Sequence, residues 1–311
     1  MMQNFLSALF LQAGYNTALV TIGAALLAAS AGAIGAFVLL RKRSLVSDAI
    51  SHATLPGLAI AFLLMASLWG DGRFMPGLML GAGLSAAFGV LSVDWLTART
   101  RLPEDAAIGA VLSVLFGAGV VLMTVIQTLG LGGQAGLSGY LIGSTAGMLR
   151  SEAELIAIAA ALAGLVIFVL RRPFTLTAFD PDFAEVIGLN RRLIDAALLA
   201  LLLTITVIGL KIVGLVLIVA LTIIPAVAAR FWSDRPAGMV LVSAVIGAVA
   251  GWLGVVFSAL DQALPTGALI VLCCFGVFVC SMCFAPKRGI IARLLGRLAM
   301  RRRLAKEQRS I

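Results

Sequence analysis

RKRSLVSDAISHATLPGLAIAFLLMASL, residues Arg41 to Leu68, sets three cations shortly before a run, Ala49 to Leu68, that carries no Asp, Glu, Lys or Arg. About 20 apolar residues in a helix cross the ~30 Å of hydrocarbon in a bilayer, so the run reads as a membrane-spanning helix entered from a basic side. Similar apolar windows lie at Thr17 to Leu40, Phe74 to Val93, Ala106 to Ile126, Leu155 to Leu170, Ile194 to Leu210, Ile212 to Ala229, Ala237 to Leu260 and Leu264 to Ala285. The 311-residue chain is 61% hydrophobic and 12% charged, against about 45–50% apolar and about 25% charged in soluble domains. A soluble core has no room for that excess. The expected fold is an all-α, polytopic membrane helical bundle of eight or nine transmembrane helices. A further stretch, Leu137 to Met148, is too short and Gly-rich to cross and reads as a re-entrant or broken helix lining a cavity.

Basic residues in short loops orient the bundle. Arg41, Lys42 and Arg43, Arg99 and Arg101, Arg171, Arg172, Arg191 and Arg192, Arg230 and Arg235, and the C-terminal tail are mutually consistent as cytoplasmic. The loops around Gly70 to Arg73, Gln127 to Gly136, Lys211 and Asp261 then lie outside. With nine spans the C-terminus is inside, and the first sixteen residues are either outside or an interfacial helix. Residues 1–286 read as one transmembrane domain, and 287–311 as a basic cytoplasmic tail. That tail holds nine Lys or Arg against Glu307 alone, nearly the whole net charge of +9. It reads as an anchor on anionic headgroups, and nucleic acid is not an expected partner. The four cysteines, Cys273, Cys274, Cys280 and Cys283, fall in one apolar stretch with no base nearby, so the CxxC they contain reads as packing. No cleavable signal peptide is expected, because the N-terminus lacks a basic n-region.

Asp48 and the only histidine, His52, are spaced i, i+4. On a helix they share a face and can grip one ion between a carboxylate oxygen and an imidazole nitrogen. The donor pair suits Mn²⁺, Fe²⁺ or Zn²⁺ better than Ca²⁺ or Mg²⁺, which favour all-oxygen shells. Two ligands make a transient site, as a carrier needs, and a two-fold partner would bring two more. A structural role is the alternative, with Asp48 serving the helix macrodipole and His52 an interior hydrogen-bonded residue. The cost of ionisable groups within a membrane span favours function. Asp48 follows Arg43 by five residues, about 7.5 Å of helix, which places the pair near one face unless Ser44 to Ser47 is extended. Pro56 and Gly57, one turn on, would kink the helix, either as a gate or as ordinary irregularity.

Phe179 to Asn190, FDPDFAEVIGLN, is the second informative segment. Asp180 and Pro181 suit the cap and first turn of a short helix, Phe183, Val186 and Ile187 give it an apolar face, and Gly188 closes it. Such a helix docks on a protein surface or lies on the bilayer. Asp180, Asp182 and Glu185 disfavour anionic lipid. No GxxxxGK[ST] occurs, so a P-loop is absent and ATP hydrolysis would belong to another chain.

Several blocks resemble the zinc, manganese and iron permeases of binding-protein-dependent ABC importers: Arg41 to Gly57, Arg99 to Val111 (RTRLPEDAAIGAV), Phe179 to Asn190, Gly214 to Phe231 (GLVLIVALTIIPAVAARF) and Leu264 to Leu272 (LPTGALIVL). The resemblance covers nearly the whole chain, and its first and third blocks are the specific ones. It implies a type II, vitamin B12 importer-like permease architecture in the cell (inner) membrane, with no permanently bound cofactor. The implied partners are a second permease copy, identical or related, cytoplasmic ABC ATPase subunits and an extracytoplasmic metal-binding protein. It makes Asp48 and His52 part of the metal path. The loop containing Phe179, Asp180, Pro181, Phe183, Ala184, Glu185 and Gly188 becomes the coupling helix seated in the ATPase. LPG after the histidine and the long basic tail are closer to the manganese and iron members than to the zinc ones, while Ser47 stands where Gly often precedes the Asp. A proton-coupled secondary transporter, with Asp48 and His52 as a relay, is the competing reading. A multi-histidine enzyme site is impossible with one histidine.

Overall fold

The structure, a computed structural model, describes residues 2–12, 14–69, 74–129, 143, 145–261, 264–286 and 289–293. Its helices are α1 (Met2–Leu9), α2 (Tyr15–Leu40), α3 (Ser44–Trp69), α4 (Met75–Arg99), α5 (Glu104–Thr128), α6 (Arg150–Phe179), α7 (Pro181–Val186), α8 (Arg191–Val213), α9 (Leu215–Ala229), α10 (Pro236–Ser258) and α11 (Thr266–Phe284). Among the described residues eight helices are long and apolar enough to cross a membrane. The chain is a multi-pass, all-helical membrane protein.

The window Ile212 to Ala229 is not a ninth full span. Gly214 adopts φ 92°, which breaks the chain between α8 and α9. The 15 residues of α9 reach only about 22 Å, short of the hydrocarbon thickness. α3 starts at Ser44, so Ser44 to Ser47 is helical and the Asp48–His52 pair lies near one end of the span. One other boundary differs from the sequence reading. α6 continues through Arg171, Arg172 and Pro173, which the charge pattern had assigned to a loop. Its 30 residues span about 45 Å, and its last turns therefore stand beyond the hydrocarbon.

Two buried helices organise the bundle. α2 packs against α10, α9, α6 and α8, and α3 against α4, α5, α8 and α9. Lipid gives no hydrophobic drive for helix association, so contact area comes from small residues that let backbones approach. A Cβ on Gly247 of α10 would lie 2.2 Å from the Ala28 carbonyl oxygen of α2. The Ser243 hydroxyl, fully buried, donates to the Gly32 carbonyl at 2.6 Å in the same seam.

Of the stretch Leu137 to Met148, only 143 and 145–148 lie among the described residues. Thr145–Gly147 forms a single 3₁₀ turn, and the buried Thr145 hydroxyl donates to the Ile212 carbonyl at 2.7 Å. This piece packs on the α8–α9 break. The tail assigned to 287–311 lies outside the described residues except for 289–293.

Candidate metal-transit site

α3 places Asp48 and His52 in its second and third turns, one above the other. His52 Nε2 stands 3.3 Å from Asp48 Oδ1, and both side chains are partly exposed. Two ligands each about 2.1 Å from a tetrahedral ion are about 3.4 Å apart, so one ion fits between these atoms with almost no rearrangement. The pair therefore satisfies the donor chemistry and the spacing of a transition-metal contact. Asp48 lies beyond the first turn, where acidic side chains are absent, and the macrodipole reading loses its footing because that field fades within one turn.

Phe116 of α5 meets the His52 imidazole as a T, with ring centroids 4.8 Å apart. His52 Nδ1 is buried with no hydrogen-bond partner. Among the described residues no third His, Cys, Asp or Glu joins the pair into a closed metal site. Among the described residues the chain thus brings together two groups of metal-ligating chemistry, fewer than the three or four protein ligands of a closed site.

Pro56 and Gly57 are buried one turn beyond. Pro56 has no N–H to give the His52 carbonyl, so the backbone beside the pair lacks its usual α-helical bond. α3 nevertheless runs unbroken to Trp69. A Cβ on Gly57 would lie 2.1 Å from the Gly81 carbonyl oxygen of α4, so this glycine permits close helix packing.

A network of charges lies at the same end of the bundle. Arg43 Nε, at the start of α3, is 2.8 Å from Glu104 Oε1 of α5, and its Nη1 is 4.0 Å from Asp94 of α4. Arg41 pairs with Asp195 of α8 and donates to the Thr177 hydroxyl of α6, while Arg191 Nε lies 3.7 Å from Asp195. Burial, with Arg43 and Arg191 nearby, lowers the Arg41 guanidinium to about 10, so it remains charged at neutral pH. The sequence reading passed over Asp195, which stands inside the window Ile194 to Leu210. An acid within an apolar run requires a cation, and that signal was available. At the opposite end Lys211 of α8 pairs with Glu152 of α6. The cysteines are free thiols, with Cys274 buried and Cys280 exposed.

The segment after α6 folds as its residues dictate. Asp180 caps α7 by accepting from the Phe183 N–H at 3.0 Å, Pro181 occupies the first turn, and Gly188 takes φ 87° beyond the end. Ala184 is fully buried against the bundle. Phe179, Phe183, Glu185, Val186 and Ile187 are exposed, Val186 at 83%. An amphipathic helix is thus held at the charged end with its apolar side outward.

An eight-span helical bundle with a half-length ninth helix, an Asp48–His52 pair on α3 and a short helix with its apolar side outward is the frame of a multi-pass membrane transport subunit. Residues 15–285 match the ABC 3 transport family, and the chain belongs to that family. It is 39% identical over 293 residues to the manganese transport system membrane protein MntC of Bacillus subtilis, covering 94% of this chain and 66% of that protein. It is 35% identical over 280 residues to the zinc transport system membrane protein TroC of Treponema pallidum, covering 90% and 92%. Among solved structures it is similar to PsaBC from Streptococcus pneumoniae in complex with Fab. The TM-score is 0.78 at 28% identity, over 93% of this chain and 98% of that one.

Proposed function

We propose that this chain is the membrane permease subunit of an ATP-driven, binding-protein-dependent importer of divalent transition metal ions. The observation that carries the reading is the 3.3 Å juxtaposition of Asp48 and His52 on a partly exposed face of α3, matched to the span of two ligands on one ion. The metal is cargo, and manganese is the first candidate because the relative at 39% identity is named for manganese. Iron and zinc share the donor preference. Two ligands per chain call for completion by a second permease copy across a two-fold axis.

α7 is the coupling helix in this reading. Its exposed Phe183, Val186 and Ile187 seat in a cytoplasmic ATPase, which supplies the hydrolysis that a chain without a P-loop cannot perform. The end carrying Arg41, Arg43, α7 and the basic tail then faces the cytoplasm of the inner membrane. An extracytoplasmic metal-binding protein delivers the ion to the opposite end. Family membership favours this ATP-driven reading over the proton-coupled alternative.

The test replaces Asp48 or His52 by alanine in cells and measures accumulated manganese, iron and zinc. Uptake should fall to background in both variants, while the permease still co-purifies with its ATPase. Uptake at the unaltered rate would remove the pair from the metal path.

A further inference from the structure

We infer that the groove between α6 and α10 is a binding site for one anionic phospholipid of the leaflet at the basic end of the bundle. The groove is open to the surface, has a volume of about 850 Å³ and includes Phe37 of α2 in its lining. This volume falls within the range of small-molecule sites, about 300–1,000 Å³. Its body is apolar, lined by Gly164, Ile167, Phe168 and Leu241 among others. Phe168 and Leu241 are both mostly exposed.

The polar end is cationic. Arg171 and Arg172 on α6 and Arg235 at the start of α10 line it, and no acidic residue does. Arg171 and Arg172 lie about 32 Å along α6 from Arg150, one hydrocarbon thickness from the far end, which is the level of phosphate headgroups. Arg235 is also the N-cap of α10, so its guanidinium stands beside the N-terminus of that helix. The positive end of a 23-residue helix therefore adds to three guanidinium groups at the same depth. Arg171 is positioned over the Phe168 ring, 5.0 Å from its centroid. This contact sets a planar, bidentate phosphate donor at the boundary between cationic rim and apolar trough. A phosphodiester with acyl chains matches both halves of the groove: anion against the guanidinium groups, hydrocarbon against the trough. A phosphate without chains matches only the rim.

Two variants separate headgroup from chain recognition. The Arg171→Gln, Arg172→Gln, Arg235→Gln triple removes the cations. Gly164→Trp fills the trough, where a Cβ meets nothing within 4 Å. The full-length protein is equilibrated in detergent with mixed phosphatidylglycerol and phosphatidylcholine, and retained lipid is counted by native mass spectrometry. The unaltered protein should retain one phosphatidylglycerol with a preference on the order of tenfold or more over phosphatidylcholine. Both variants should lose it, and an Arg99→Gln, Arg101→Gln control should keep it. Equal retention of the two lipids, or an undiminished count in Gly164→Trp, overturns the site. A dimer that dissociates in Gly164→Trp with an unchanged lipid count assigns the groove to a second copy instead.

Discussion

Phe116 and His52 meet as a T, ring centroids 4.8 Å apart and planes at 83°. The contact ties α5 to the His52 side chain of α3 and holds the imidazole where Nε2 faces Asp48. Aromatic pairs of this geometry contribute about 1 kcal/mol. Phe116→Ala should therefore leave the ligands in place but free the ring to rotate, lowering metal uptake about fivefold while assembly is unchanged. Metal accumulation in cells checks this, and Phe116→Tyr should restore most of the loss. Unaltered uptake in Phe116→Ala would show that the ring does not position His52.

Helix contact at Gly57 should be intolerant of a single methyl group. Gly57→Ala places its Cβ against the Gly81 carbonyl, and the backbone must shift at a cost of about 1–3 kcal/mol. Gly117 of α5 has nothing within 4 Å of the same atom. There alanine should be neutral or stabilising, by about 0.5–1 kcal/mol. Thermal unfolding of the two purified variants should move in opposite senses.

The two arginines that flank the α2–α3 turn should differ sharply in worth. Arg41 is 8% exposed in its side chain and depends on Asp195. Asp195→Asn strands that charge and should cost about 3–5 kcal/mol. Arg43 and Glu104 are both more exposed, so Glu104→Gln should cost less than about 1 kcal/mol. Denaturant titrations in detergent would show it, and equal losses would contradict the ranking.

The exposed side of α7 should matter to assembly and not to folding. Val186→Asp with Phe183→Asp changes two outward side chains. It should weaken co-purification with the ATPase by at least about 2 kcal/mol, or about thirtyfold. The melting temperature of the isolated permease should stay put. Asp180→Ala acts differently, removing the α7 cap at a cost of about 1 kcal/mol, so its binding loss should be partial.

Hydropathy alone identified the bilayer as solvent, because a chain with 61% hydrophobic residues has no soluble alternative. It also located most helices, since each span must satisfy its own backbone hydrogen bonds and so declares itself locally. The i, i+4 spacing placed Asp48 and His52 on one face for the same reason, and cap residues made α7 legible from Asp180 to Gly188. The tertiary structure decided what depends on neighbours distant in sequence. Gly214 ends α8 and leaves α9 at half length, where hydropathy read Ile212 to Ala229 as a full span. Asp195 has Arg191 one turn away on its own helix, but its closer partner, Arg41, reaches it from another. Arg171 and Arg172 looked like loop until α6 carried them past the hydrocarbon and beside Arg235. Periodicity encodes what a helix does within itself. Which of its faces meets a given side chain from another helix is set by packing, and that information is spread over the whole chain.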